Sequence, residues 1–508
     1  MPPVYSYDQI AYQLTDLGQQ YFGETRQSYA VSSGGTITYN VAPLNAAGRE
    51  FARSALDIWT LATGINFVET SSNAMIDFNH GRNSYDAFAS ITSTSSGTIV
   101  HTAISISQDW IKWDWTQAGD GSLIVDYSSY SMLTYVHEIG HALGLAHAGN
   151  YNGSANYSRD ASYANDSWQA SIMSYFDQNE NTYINASYAY PITPMIADLI
   201  AIHNLYGTPS SGTTGNTVYG FNGNTNTYLD NLSVLQNPIA FTLYDAGGID
   251  TLNLSFDTYN QRVDLRQETI SDVIGLIGNL SIARGTNIEN FVAGSGNDYV
   301  NGNSQHNELI GNAGNDSLFG NAGNDFLIDG LGNNELDGGA GYDVITVFSG
   351  INTLSGGAEN DFLTGGIQAD LIDAGTGNDV IIGDAGRGII GASDVLIGGT
   401  GNDTVMGGLG ADDFIFHTND GNDVIADFIA PHVTRDANGS LAIASMTRDF
   451  ETNIDDIHLV GFQNVTAQNV MTYITQTADG ALFAAEGTSI LFYGCSLSDL
   501  SVDDFVFV

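Results

Sequence analysis

The feature that most restricts the fold of this chain is a nine-residue period in its second half. From Ala293 to Ile382 ten nonapeptides follow one another without a gap, among them GNAGNDSLF from Gly311, GNAGNDFLI from Gly320, GGAGYDVIT from Gly338 and GGAENDFLT from Gly356. A six-residue interruption, 383–388, separates them from three more units over 389–415. The eighth position is apolar in every unit, from Val300, Leu309 and Leu318 through to Leu396, Val405 and Phe414. Thirteen apolar residues in register do not follow from glycine-rich composition alone. The tract therefore reads as a solenoid: each unit supplies a glycine turn and a short strand, and the apolar residues stack into one narrow core.

Two units close one coil, so each side chain stacks on its counterpart two units further along, on the same edge. The sixth position is Asp in ten of the units: Asp298, Asp316, Asp325, Asp343, Asp361, Asp370, Asp379, Asp394, Asp403 and Asp412. An oxygen-lined turn between stacked coils suits calcium, a hard cation that takes six to eight oxygens. The strongest sites are expected where both stacked partners are Asp, namely 298/316, 325/343, 343/361, 361/379 and 394/412. Asn307, Asn334 and Asn352 fill the same position without charge, so turns that use them are expected to bind weakly or not at all.

The charge follows the repeat. With 12 basic and 57 acidic residues the net charge is −45, which makes nucleic acid and anionic membranes poor partners. Up to Gly207 there are 18 acids and 6 bases, and beyond it 39 and 6. A compositional boundary therefore lies near 206–217, dividing the chain into 1–207 and 208–508. Without cations the stacked aspartates should repel one another and keep the repeats largely unfolded. Cys495 is the lone cysteine, so no internal disulfide forms. The first residues, MPPVYSYDQIAYQL, lack the basic and apolar regions of a cleaved leader. No apolar run is long enough to span a bilayer, so stable membrane insertion is not expected.

The first half mixes helical and strand periods. Helices are expected over 7–21, 45–61, 131–145 and 193–206, and strands over 36–41, 64–68 and 99–106. Within the third helix lies HEIGHALGLAH, 137–147. His137 and His141, four apart, share a helix face, and Gly144 can end the helix in a left-handed conformation that returns the chain with His147 as a third ligand. Three imidazoles favour one zinc ion with an open fourth position for water, and Glu138 is placed to take that water's proton. Trp110, Trp113 and Trp115 alternate as on one strand face, and His80, His101, His203, His306, His417, His432 and His458 show no ligand spacing.

These residues resemble the serralysins, secreted bacterial metzincin endopeptidases with a C-terminal calcium-binding RTX domain. The likeness rests on the zinc helix and on SIMSY, 171–175, where Met173 falls like the floor methionine of that class. It extends to SGGTITYNV, LDIWTLATGINFVE, PMIADLIAIHNLYG and YDAGGIDTLNLSFDTYNQRVDLR. The resemblance implies an α+β metzincin-type catalytic domain over 1–207, with a short propeptide inside its first turns, within about 1–15, and an all-β parallel β-roll over 208–508. It implies that Tyr175 lies at the metal as an extra ligand that swings away to bind the transition state. It further implies calcium ligands at Thr213, Gly215, Thr217, Asp245, Gly247, Asp250 and Glu289, and a type I secretion signal, not cleaved, around DDFVFV at 503–508. Ala148 departs from the family, in which Pro is common after the third histidine. Substrates would be proteins or peptides, aligned by fold analogy on an edge strand near 99–106. The other expected partners are the exporter and a proteinaceous inhibitor, for a protein that acts as a monomer. The competing reading is a non-enzymatic, calcium-dependent surface or binding protein on a protease-like scaffold; a polysaccharide-modifying enzyme would need a catalytic constellation that the sequence does not display.

Overall fold

The computed structural model describes residues 2–81, 86–209, 215–384, 392–426, 433–435, 441–443 and 455–508. The chain divides into two compact units, one of 1–256 with 263–288 and one of 257–262 with 289–508. The compositional step at Gly207 falls inside the first of them. Composition follows the glycine and acid content of the repeats, whereas the units follow hydrogen bonding: strand Ile239–Leu243 pairs in parallel with Tyr190–Pro191 on one side and with Leu280–Ile282 on the other.

The first unit carries a sheet in the order Ser28–Tyr29, Thr98–Ile106, Ile76–His80, Thr36–Asn40, Asn66–Glu69, all parallel. Ala87–Ser93 runs antiparallel along Thr98–Ile106. Helix Ala46–Thr63 starts where the Asn45 side chain accepts the Gly48 N–H at 2.8 Å and stops at Gly64, whose φ of 66° is cheap only for glycine. Its buried stripe includes Phe51 and Trp59; Phe51 stacks on Tyr135 of helix Tyr130–Ala142, and Trp59 Nε1 donates to the Val136 carbonyl at 3.0 Å. Burying side chains of this size stabilises by about 1.5–3 kcal/mol each, and the hydrogen bond fixes the second helix lengthwise. That helix carries the histidines.

The N-terminal residues pack under the end of the same helix. Ser6 caps helix Tyr7–Tyr12, Ile10, Ala11 and Leu14 are fully buried, and the Leu14 carbonyl accepts the Ala146 N–H at 2.7 Å. Gln19 Nε2 donates to the Gly144 carbonyl at 3.1 Å. The tryptophans do not share a strand face: Trp110 lies in the short helix Gln108–Ile111, Trp113 is exposed, and Trp115 opens strand Trp115–Gln117.

Through the repeats of the second unit successive strands alternate between two sheets with parallel pairing, whereas Ile474–Gln476, Gly480–Ala485 and Thr488–Tyr493 pair antiparallel. Glu308–Ile310 pairs with Phe326–Asp329, and that with Val344–Val347, while Ser317–Ala322 pairs with Glu335–Ala340, each strand meeting its counterpart one coil further along. The eighth-position residues Leu309, Leu318, Leu327, Ile345, Leu363 and Ile381 are fully buried between the sheets. Glycine is needed where coils stack: Gly341 has φ 128°, and a Cβ there would overlap the Gly323 carbonyl oxygen one coil earlier. Past the interruption the coil is longer by the inserted residues, yet Ile372 faces Leu396 and Ile381 faces Val405, so the stack resumes in register. The last strand, Phe505–Phe507, pairs in parallel with Asp456–Val460.

Candidate active site and calcium-binding turns

Helix Tyr130–Ala142 ends two residues before Gly144, whose φ is 104° and whose missing Cβ makes room for the Gln27 carbonyl. The turn that follows brings His147 back to His137 and His141, so that one donor nitrogen from each lies within 4.8 Å of the others. Each imidazole is oriented by a backbone carbonyl on Nδ1: His137 by Ile172 at 2.9 Å, His141 by Leu145 at 2.7 Å, His147 by Tyr151 at 2.9 Å. A donating Nδ1–H leaves Nε2 as a lone pair aimed inward. The Nε2 atoms of His141 and His147 are 3.0 Å apart, a repulsive approach of two lone pairs unless a cation is shared. Burial holds the rings neutral, pushing His137 down to about 4 and His147 to about 3, with His141 well below its usual value. Neutral, converging and pre-oriented nitrogens are what zinc requires.

Glu138 lies on the cleft side of the helix, 5% exposed, and its Oε2 has no hydrogen-bond partner among the described residues. Burial, with Asp86 adding to it, pushes the carboxyl up to about 8. Tyr175 packs against His147 with ring centroids 4.5 Å apart, its hydroxyl accepting the Gly153 N–H at 3.3 Å. Histidines, Glu138 and Tyr175 line one cleft of about 240 Å³. Its far wall is strand Ala87–Ser93. This corrects the expectation for 99–106: Thr98–Ile106 is an interior strand, flanked by Ile76–His80 and Ala87–Ser93, and the edge beside the cleft is Ala87–Ser93. The regular alternation of the interior strand marked it as a strand but not as an edge.

Met173 is buried beneath the site, and a Cβ on Gly140 would come within 2.8 Å of its sulfur. The turn around it is fixed by Asp198, which no sequence spacing singled out. Asp198 accepts from the Ser171 hydroxyl at 2.6 Å, the Ile172 N–H at 2.7 Å and the Met195 N–H at 2.8 Å. Since the Ile172 carbonyl orients His137, Asp198→Ala is expected to destabilise the first unit by about 3 kcal/mol or more, because buried donors left unpaired cost about 1–3 kcal/mol each. Thermal melting checks the stability, and zinc release to a colorimetric chelator should be faster.

In the second unit the predicted aspartates form two ladders. Each Oδ1 accepts the backbone N–H of the residue one coil earlier: Asp316 from Asp298 and Asp343 from Asp325, each at 2.7 Å, and Asp412 from Asp394 at 2.9 Å. In nine of the ten, all but Asp412, the buried Oδ2 has no partner among the described residues. Burial raises these carboxyls, Asp298, Asp343, Asp361 and Asp403 to about 7 and Asp394 to about 8. Rows of unpartnered buried carboxylate oxygens fit a hard divalent cation. Across the interruption the ladder continues from Asp370 to Asp394 and from Asp379 to Asp403. The two-unit spacing missed those steps, and it missed Asp423 and Asp455, which accept from Asp403 and Asp412.

Near the junction, Asp250 accepts the Thr217 N–H at 2.8 Å and the Thr217 hydroxyl donates to the Gly215 carbonyl at 3.1 Å, so these three come together. Asp245 accepts the Gly247 N–H at 3.0 Å. Glu289 belongs to the second unit, where its carbonyl accepts the Asn307 amide at 2.8 Å. Thr213 and His432 lie outside the described residues. Of the remaining histidines, His458 approaches Asp413 at 3.1 Å and groups with Asp456 in a partly exposed cluster.

A helix-borne histidine pair, a third histidine returned by a glycine turn and a buried methionine beneath them define a metzincin, a zinc endopeptidase. Family models agree: Matrixin matches 32–159, Met-zincin 132–214, Peptidase M10 serralysin C terminal 210–382, and the RTX calcium-binding nonapeptide repeat 391–425. The chain is 33% identical over 332 residues to metallopeptidase AprA of Pseudomonas marginalis, covering 60% of this chain and 67% of that protein. It is 44% identical to serralysin C and 36% identical to serralysin B of Dickeya chrysanthemi, over 33% and 49% of this chain and 36% and 51% of theirs. The chain belongs to the serralysin family, whose cofactors are a catalytic zinc and structural calcium. No helix among the described residues is long and apolar enough to cross a membrane.

Proposed function

We propose that this chain hydrolyses peptide bonds in extracellular proteins, with His137, His141 and His147 as zinc ligands, Glu138 as general base and acid, and Tyr175 as oxyanion donor. The observation that carries this reading is the open geometry of the site: three inward lone pairs, a carboxylate oxygen without a partner and a tyrosine hydroxyl all face one cleft. Zinc, when bound, supplies Lewis acidity that polarises a carbonyl and eases deprotonation of water. Glu138 accepts the water proton at Oε2 and returns it to the leaving nitrogen. Tyr175 exchanges its contact with Gly153 for a hydrogen bond to the developing oxyanion. The edge strand Ala87–Ser93 aligns an extended substrate by strand addition.

A buried carboxylate oxygen, Glu138 Oε2, left without a partner beside the histidines has no use in a purely structural zinc site, which disfavours a non-enzymatic binding protein. We assign 503–508 a second role as a secretion signal for a type I exporter, and the cleft as the seat of a proteinaceous inhibitor. A short propeptide falls within about residues 1–15 in this reading. Casein hydrolysis tests the assignment: chelation should abolish it and zinc restore it. Tyr175→Phe should lower kcat by about 10²–10³-fold with KM little changed, as for a donor used chiefly in the transition state. A Phe variant with full kcat removes Tyr175 from the mechanism.

A further inference from the structure

Asp329 opens the nonapeptide 329–337, a position at which the other units carry Gly, Ala, Val or Ile. Its side chain is completely buried; Oδ1 accepts the Gly330 N–H at 2.6 Å and Oδ2 has no partner among the described residues. The carboxylate points into the turn of the preceding coil. A Cβ placed on Gly311 would lie 2.9 Å from Asp316 Oδ2 and nearer still to Asp329 Oδ2. Asp316 is itself buried, with Oδ1 engaged by the Asp298 N–H and Oδ2 without a partner. Two buried carboxylate oxygens are thus aimed at one small space within hydrogen-bond reach of each other, a costly arrangement unless a cation or a proton held between them fills it.

The sequence of the same coil supplies the reason. Its sixth position is Asn334, whose Oδ1 accepts the Asp316 N–H at 2.9 Å but which carries no charge for the step from 316. The charge missing at 334 reappears at 329. We propose that Asp316 and Asp329 form a calcium site at this step, Asp329 standing in for the aspartate the ladder lacks. The following step, Asn334 to Asn352, is joined amide to backbone at 3.0 Å and has no carboxylate of its own, so no ion is expected there.

This site rests on the repeats binding calcium, and the experiment separates the two ideas. The full chain is stripped of metal, dialysed against a fixed free calcium concentration and its bound calcium counted by atomic emission. Asp329→Gly and Asp329→Asn should each bind one calcium fewer than wild type and need more calcium to reach the same melting temperature. Asp329→Gly combined with Asn334→Asp, which returns the charge to its usual position, should recover the wild-type count. Wild-type counts in the single variants mean that the two carboxyls merely share a proton, and the site is lost. A folded double variant that stays one calcium short overturns it as well, even if the single variants do not fold. A wild type that binds no calcium overturns the assignment of the repeats themselves.

Discussion

Glu138→Gln should lower kcat/KM for casein by about 10²–10⁴-fold, the range expected when a general acid–base group is removed, while the variant keeps one zinc per chain and its melting temperature. Glutamine matches the shape of the buried side chain and can reach the same space, but it cannot accept a proton. The replacement also leaves the fold unburdened. Glu138 Oε2 makes no hydrogen bond among the described residues, and the backbone contact that the carboxylate has at Ala89 can be kept by the amide oxygen of glutamine. Burial, the main cause, pushes this carboxyl up to about 8, a cost that the one backbone hydrogen bond at Ala89 offsets only in part. Such a cost is the signature of a group kept for chemistry. Activity within tenfold of wild type, measured at equal zinc content, would remove Glu138 from the mechanism and revive the binding-protein reading.

What the sequence disclosed and what it hid differ in range. The histidine triad was legible because helix geometry fixes the faces of residues 137 and 141, and a single glycine explains the return to 147. The ladders were legible because each coil repeats the last, so a two-unit spacing is a spatial neighbour relation. Where the repeat is broken the spacing rule fails. Asp370 meets Asp394 and Asp412 meets Asp455 across longer stretches of chain, since the inserted residues change the count without changing the stacking. Asp198 stayed hidden because its partners Ser171 and Ile172 lie on another segment and no period links them. The only signal was an acid within the apolar stretch PMIADLIAIHNLYG, unusual for a residue that turns out to be fully buried. The edge strand Ala87–Ser93 was hidden for a related reason, as order within a sheet is a long-range property that alternation does not encode.

Calcium removal should unfold the second unit, and zinc alone should not restore it. The unit's hydrogen bonding places carboxylates in file at one-coil spacing, each fixed through Oδ1 to the next backbone N–H and each turning a buried Oδ2 to the same edge. Burial lifts Asp343 and Asp361 to about 7 and Asp394 to about 8, so without cations these groups meet neutral pH either as buried charges or as carboxyls that must hold a proton. Both cost folding free energy. A single calcium site at hundredfold saturation returns about 2.7 kcal/mol, and a handful of such sites matches or exceeds the roughly 5–15 kcal/mol by which a whole domain is stable. The expected result is loss of the β signal in far-UV circular dichroism on chelation, with hydrogen exchange of the strands between 289 and 425 becoming fast. Calcium in the millimolar range should bring the signal back, and zinc added without calcium should not. A second unit that keeps its protected strands in chelator would mean that the apolar stack of Leu309, Leu327, Ile345 and Leu363 suffices by itself, and that the unpartnered oxygens carry protons in place of metal.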